Sequence, residues 1–545
     1  MQPILVQIFK MNKLKLAALA LLLSSATTTF AGGLVTNTNQ NINFLRNPAR
    51  DGAIGIDGVY YNPAGVAFLD QGFHLSLNIQ NAHQTRTITS TNPVFALGKK
   101  NDGNVTKTFE GKADAPIIPS VQAAYNKDKW SFQFNFAITG GGGKCEFENG
   151  LGSFESVVGT IASQLEPLGV KGYDVDGYMQ GRQYYYGFTL GAAYKVTDKL
   201  SVYGGARLLY GSASYKAKLD NIQVGTAKGY VPFGDFLDEA SNDIAGKIAQ
   251  VNGGIAQVNG GIAQANGGIA QVQARMDQYT AAGLPIPDAL TQQMAQLQGT
   301  LATMQGTLAT LQGALPTLQG TQQKLDMLGV YRNGVNLMSD QTGWGISPII
   351  GIDYKTGNFY FAAKYEFKPR MRMKNKSTVK EASMIDAVNK FQDGTEVEED
   401  SPALLTLGAQ WSVCPTVRIN AGYHHFFDTD AHMYQHAEKK LDGGTNEYLG
   451  GVEWDITKRL QVSGGLQFTR YQLTDDYMSD MSFVVNSYSF GFGLGYQIND
   501  MIKVNAAYFQ TNYTDYEKVM SAEPLICDSF TRTSRVLGIG VDLKF

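Results

Sequence analysis

The feature that most limits what this chain can become is a strict two-residue alternation sustained over long segments. Trp130, Phe132, Phe134, Phe136 and Ile138 alternate with Ser131, Gln133, Asn135, Ala137 and Thr139. Tyr488, Phe490, Phe492, Leu494, Tyr496 and Ile498 alternate with Ser487, Ser489, Gly491, Gly493, Gly495 and Gln497. Phe73, Leu75, Leu77 and Ile79 alternate in the same way with His74, Ser76, Asn78 and Gln80. Successive side chains of a strand point to opposite faces. Each segment therefore has one apolar face and one face of polar residues or glycine. Several run well past the roughly 5–6 residues of an ordinary strand and are long enough to cross a bilayer when tilted.

The connections sharpen this reading. Short turns occur at Asn126–Lys129, Thr197–Lys199, Lys355–Asn358, Cys414–Thr416, Thr457–Arg459 and Asn499-Asp500, with long, polar, irregular stretches between them. Short turns on one side and long loops on the other are the pattern of an outer-membrane barrel. The segments number about fourteen, an even count that leaves both termini on the side of the short turns. The expected fold is an all-β membrane protein, an antiparallel transmembrane barrel over residues 72–545.

Composition agrees without deciding. Charged residues are 17% of the chain, against about 25% in average globular proteins. There are 28 Tyr, 28 Phe and 61 Gly, which suits interfacial aromatics and crowded lumen positions. A net charge of −3 gives no electrostatic case for nucleic acid. Residues 1–31 read as a signal peptide with its start at Met11. Lys13 and Lys15 precede the apolar Leu16–Leu23, and Thr29-Phe30-Ala31 is a small-residue cleavage site. Cys145, Cys414 and Cys527 are an odd number. Cys145 and Cys527 fall in expected outer loops, where pairing and free thiols are both open readings.

Residues 235–330 depart from the β pattern. Ile248, Ile255, Ile262 and Ile269 lie one heptad apart, with Val251, Val258, Ala265 and Val272 three residues after each. Leu297, Leu301, Met304, Leu308, Leu311, Leu315 and Leu318 alternate spacings of four and three. Both are coiled-coil seams, and Ala281-Ala282-Gly283-Leu284-Pro285-Ile286-Pro287 between them is a breaker. The expectation is an antiparallel helical hairpin inserted in an extracellular loop. Two Gly per heptad weaken its first arm, and Pro316 should kink its second. It reads either as a partner-binding or substrate-gathering arm or as the expansion of a tolerant loop.

Catalytic signatures are missing. There is no Gly-x-Ser-x-Gly, no His-Glu-x-x-His and no phosphate-cradling loop, so the reading is of a non-enzyme without cofactor or metal. His432 and His436 have metal-ligand spacing if helical, with Asp428 and Asp430 near. Asp475, Asp476 and Asp480 cluster in another loop. A polar loop explains each set as well. On the strand alternations Arg207, Asp353, Lys364, Glu366, Arg418 and Glu453 point inward.

One stretch lies outside the alternation. Asn47 to Val59 leads into Tyr60-Tyr61-Asn62-Pro63-Ala64-Gly65-Val66-Ala67-Phe68-Leu69. By itself this is a tight turn before a strand. It also resembles the N-terminal hatch of the FadL/TodX family, outer-membrane transporters of long-chain fatty acids and other hydrophobic compounds. The family's Asn-Pro-Ala signature falls on Asn62, Pro63 and Ala64. The segment Asp400–Gly408 looks like one common before a strand in that family. The terminal Leu537–Phe545 strand is similar to the signal read by the barrel-assembly machinery of Gram-negative bacteria.

The resemblance implies a hatch over residues 32–71 plugging the lumen of a monomeric barrel in the outer membrane, among lipid and lipopolysaccharide. It implies uptake of a long-chain fatty acid or aromatic hydrocarbon by facilitated diffusion, with lateral exit. Gating would fall to Asn62, Pro63, Ala64 and Gly65, set against an inward kink of the third strand at Gly140, Gly141, Gly142 and Gly143. A cation among Arg207, Lys364 and Arg418 would hold a substrate carboxylate. Two other classes stay open: an adhesive barrel acting through the helical arm, and an outer-membrane hydrolase, which would need a Ser/His or Asp/His set at the rim.

Overall fold

Alternating segments with one apolar face are stable in a membrane only if every backbone group is paired, which for strands means a closed ring. That is what forms. The computed structural model describes residues 36–381 and 386–545; the expected signal peptide lies outside them. Fourteen strands make the wall. They are β1 (Gly72–Thr91), β2 (Thr106–Lys127), β3 (Trp130–Phe147), β4 (Gly172–Lys195), β5 (Leu200–Thr226), β6 (Val335–Thr356) and β7 (Phe359–Glu366). The ring continues with β8 (Leu404–Cys414), β9 (Val417–Phe426), β10 (Thr445–Asp455), β11 (Leu460–Arg470), β12 (Ser487–Gln497), β13 (Ile502–Tyr513) and β14 (Leu525–Lys544). Neighbours in sequence pair antiparallel, and β14 closes on β1 from His74–Lys544 to Thr91–Cys527. The short strands Arg372–Ser377, Glu396–Glu398 and Tyr516–Ala522 lengthen the sheet locally.

The alternation sorts the two faces. Phe132, Leu190, Ile346, Trp454, Phe492 and Ile539 are exposed on the outside, while Ser76, Asn78, Gln133 and Asn135 are buried inside. Aromatic rings stack near the short turns, as in Phe359 on Trp411. No helix among the described residues is long and apolar enough to cross a membrane.

The chain divides into two compact units. The barrel belongs to one, formed by the chain through Thr160, Val175–Asp220 and Val335–Phe545. Its lumen holds the hatch, with two short helices, α1 (Ile42–Arg46) and α2 (Gly58–Tyr61). Wall glycines make room for it. A Cβ on Gly408 would overlap the Asp51–Gly52 peptide, one on Gly465 would press on Pro48, and one on Gly491 would overlap Leu45. The inward glycine face read from the alternation is therefore the bed of the hatch. A third helix, α3 (Gly152–Gln164), follows β3.

The other unit, Ile161–Asp174 and Asn221–Gly334, contains α4 (Phe233–Ala281) and α5 (Asp288–Leu328). They pair antiparallel in heptad register. A Cβ on Gly254 would meet Leu311, on Gly261 Met304, and on Gly268 Leu297, at 3.2, 2.9 and 3.3 Å. Their partners Gly253, Gly260 and Gly267 face open space. One glycine of each pair thus lets the helices approach closely. Pro316 sits inside α5, which continues to Leu328. The three cysteines are free. Cys145 faces Ala113 in the sheet and Cys527 faces Thr91, so the two thiols do not pair.

Candidate functional site

The wall parts between β2 and β3. β2 and β3 pair from Lys127–Trp130 up to Val121–Phe136, and again from Asp114–Lys144. Between them residues 115–120 of β2 have no partner on β3. Pro116 and Pro119 fall here, and neither has an N–H to give a ladder. Opposite them β3 turns inward, with Gly141 and Gly143 at φ of 71° and 70°, a region that favours glycine. The alternation slips at the same point: Ile138, expected outside, is buried.

Inward-turned backbone in a membrane must find partners in protein or water. It finds them at the start of the hatch. The Asn37 N–H donates to Thr139 O at 2.8 Å, and its Nδ2 donates to Ile138 O and Gly141 O at 3.0 and 2.6 Å. Gln40 donates to Ile138 O at 2.6 Å and accepts from the Ile138 N–H at 3.0 Å. Ser120 on the other lip and Gln80 on the adjoining β1 donate to Gln40 O. The gap opens onto an apolar cluster of Ile42, Leu45, Ala115, Ile118, Ile138 and Phe509, with Tyr184 and Tyr186 packed against it.

The Asn-Pro-Ala signature does not touch this gap. Asn62 donates to Asp353 at 2.7 Å and to Ala53 O at 3.3 Å, and accepts from the Gly65 N–H at 3.1 Å. Pro63 O accepts from Gln133 and Ala64 O from Ser201. The signature pins the hatch across β3, β5 and β6 instead, because its amide is already spent on Asp353. The run Asn37-Thr38-Asn39-Gln40-Asn41 was the legible signal for the gap: carboxamides both donate and accept, as irregular backbone requires.

The three cations expected to hold a carboxylate are all inward, and all are occupied. Arg207 pairs with Glu366 at 2.6 Å and lies over the Tyr60 ring. Lys364 donates to Tyr60 O at 3.1 Å and lies 3.3 Å from Glu366. Arg418 makes two 2.8 Å bonds to Asp455. The hatch brings its own ions. Arg50 binds Asp57 and Glu453. Asp51 lies 2.9 Å from His424 Nε2, and Glu447 lies 2.8 Å from His424 Nδ1. All three side chains are fully buried, with the Tyr61 ring 4.6 Å from the imidazole. An acidic side chain faces each ring nitrogen, so both nitrogens of the imidazole are engaged. This latch between hatch and wall carried no recognisable sequence signal, since Asp51 and His424 are 373 residues apart.

The loop clusters do not assemble. His436 has a positive φ and lies beside Glu438, so it and His432 do not share a helical face. Asp475 accepts from Tyr516, while Asp480 is buried and accepts from the Ser153 N–H at the start of α3. Burial, reinforced by the nearby Asp528 carboxylate, pushes Asp480 up to about 7. Among the described residues no three His, Cys, Asp or Glu side chains converge as metal ligands.

No protein-family model and no curated protein matches the chain. Its structure is similar to the crystal structure of a Pseudomonas aeruginosa FadL homologue. The TM-score is 0.54 at 11% identity, covering 94% of this chain and 100% of that one. It is also similar to the Pseudomonas putida toluene transporter TodX, with TM-score 0.48, 14% identity, and 94% and 100% coverage. A third is the Ralstonia pickettii toluene transporter TbuX, with TM-score 0.47, 14% identity, and 92% and 99% coverage. The first of these likenesses fixes the fold: this chain is built as the FadL homologue is.

Proposed function

We propose that this chain is a FadL-type transporter of the Gram-negative outer membrane. It takes up small hydrophobic molecules, long-chain fatty acids or aromatic hydrocarbons, by facilitated diffusion, and releases them sideways between β2 and β3. The observation that carries this reading is the parted wall. An apolar cluster meets an opening at which β2 offers prolines and β3 turns away. A hydrocarbon chain in water is unfavourable by about 0.8 kcal/mol per CH₂, so a route that never leaves apolar surroundings is favoured over one through the charged floor of the barrel. Fold likeness to a FadL homologue supports the same reading. The hatch closes the opening through Asn37 and Gln40 rather than through the Asn-Pro-Ala signature.

The test is to fill the gap. Ala115→Trp places an indole among Ile118, Ile138 and Tyr184 and leaves the β1–β2 ladder intact. Uptake of radiolabelled oleate and of toluene is measured in cells with matched surface levels. Loss of uptake with a folded, heat-modifiable barrel is expected. Unchanged uptake of both cargoes would sink lateral exit here, and loss of one alone identifies the cargo.

A further inference from the structure

Beneath the hatch, at the end of the barrel that carries the short turns, lies a cavity of about 460 Å³. Its wall includes Arg46, Arg50, Arg418, Gln461 and Lys503. The cations in it are not alike. Arg50 and Arg418 each hold carboxylates. Arg46 holds none. Its Nε and Nη2 donate to Asn43 Oδ1 at 3.2 and 2.6 Å, and Nη2 donates to Gln461 Oε1 at 2.5 Å. Its Nη1 is buried without a hydrogen-bond partner among the described residues, although the residue is only 1% exposed. Lys503 donates to the same Gln461 Oε1 at 2.9 Å and to no carboxylate among the described residues.

Two cations thus share one neutral oxygen. The nearby acids are already engaged: Glu453 by Arg50 and Arg418, Asp455 by Arg418 and Gln461, Asp542 by Ser76, Asn43 and Asn505. Burying a guanidinium beside an ammonium with no carboxylate in direct contact is unfavourable, yet the chain makes room for it. A Cβ on Gly495 would lie 2.6 Å from Lys503 Cε and 3.1 Å from Arg46 Nη1.

We infer that Arg46 and Lys503 form a carboxylate-binding site at the floor of the barrel. A guanidinium edge and an ammonium together match the two oxygens of one carboxylate. Glu453, Asp455 and Asp542 around them disfavour a dianion such as phosphate. Ile54, Ile56 and Leu460 line the same cavity and accommodate a short alkyl stretch next to the head group. The ligand is either a small carboxylate from solution or the head of a longer amphiphile. Binding here requires neither the lateral route nor any transport.

The test uses the purified full chain in maltoside micelles at low chloride, titrated by calorimetry with acetate, butyrate and decanoate. A ligand of the folded state also raises the thermal midpoint. Wild type should bind at least one of the three. Arg46→Gln and Lys503→Gln should each weaken binding by about tenfold or more, as expected for loss of a charge-assisted hydrogen bond. Lys458→Gln, at an exposed turn cation on the same cavity, should change it by less than about threefold, as for a solvent-exposed charge. Equal affinity for all three ligands assigns the site to the head group alone, and binding of decanoate alone assigns it to an amphiphile. If wild type binds none at millimolar concentration, the inference is wrong. It is equally wrong if Lys503→Gln binds as wild type does, or if Lys458→Gln weakens binding as much. Should Arg46→Gln fail to fold, Lys503→Gln decides.

Discussion

The hatch and the helical hairpin are held by opposite means. From Asn37 to Asn62 the hatch buries twelve polar or charged residues that its lumen neighbours and its own chain largely satisfy, and its helices are a single turn long. Isolated in water such a segment has nothing to fold around; its conformation is imposed by the wall. The hairpin has helices of 49 and 41 residues, a repeating seam and a mostly exposed surface of Gln, Asn, Ala, Thr and Gly. Its structure is imposed by its own repeat. The difference teaches where a mutation acts: in the hatch through one irreplaceable partner, in the hairpin through a small increment repeated at each heptad.

The largest effect tests the hatch side of this contrast. His424→Ala leaves the Asp51 and Glu447 side chains buried without the ring that partners both of them. Removing one partner of a buried pair is destabilising by about 3–5 kcal/mol. The expected result is a hatch open to protease and a lower barrel melting temperature on heat-modifiability gels. A His424→Ala barrel that melts as wild type, with its hatch protected, would mean the latch is dispensable.

A smaller effect, with two signs, tests the hairpin. Gly253, Gly260 and Gly267 face open space, so changing each to Ala should stabilise α4 by about 1 kcal/mol. Gly261→Leu, one position from Gly260, drives a side chain into Met304 and should destabilise by about 1–3 kcal/mol. Thermal loss of the 222 nm helical signal reads both. If the two neighbours shift the midpoint in the same direction, the heptad register described above is wrong.

The smallest expected effect is none. Replacing residues 233–330 with a short Gly-Ser linker should leave the barrel's assembly and melting unchanged, since the hairpin supplies its own seam. Failure to assemble would make the contrast false, because the hairpin would then be part of how the barrel forms.

Legibility followed the same division. Alternation in β1, β3 and β12 gave the strands, their faces and the closed barrel, and the heptads of Ile248 to Leu318 gave the hairpin. Even its glycine cost was readable, though not that Gly254, Gly261 and Gly268 are contact positions while their neighbours are not. The site was less legible. The glycines of β3 marked the inward turn, but the prolines at 116 and 119 on the facing strand, which complete the parting, carried no periodic signal. The Asn-Pro-Ala run stood out and turned out to be an anchor to Asp353, while the carboxamides ahead of it meet the gap. Arg207, Lys364 and Arg418 were legible as inward cations; that each is already paired was not.

The sequence by itself determined whatever repeats: strand, face, seam and closure follow from periods of two and seven, because backbone geometry converts those periods into surfaces wherever they occur. Tertiary structure alone decided which polar groups meet across the lumen. Asp51 with His424, Asn62 with Asp353, and Arg46 beside Lys503 without an acid are separated by hundreds of residues. A buried hydrogen bond depends on distances of a few tenths of an ångström that no local pattern encodes.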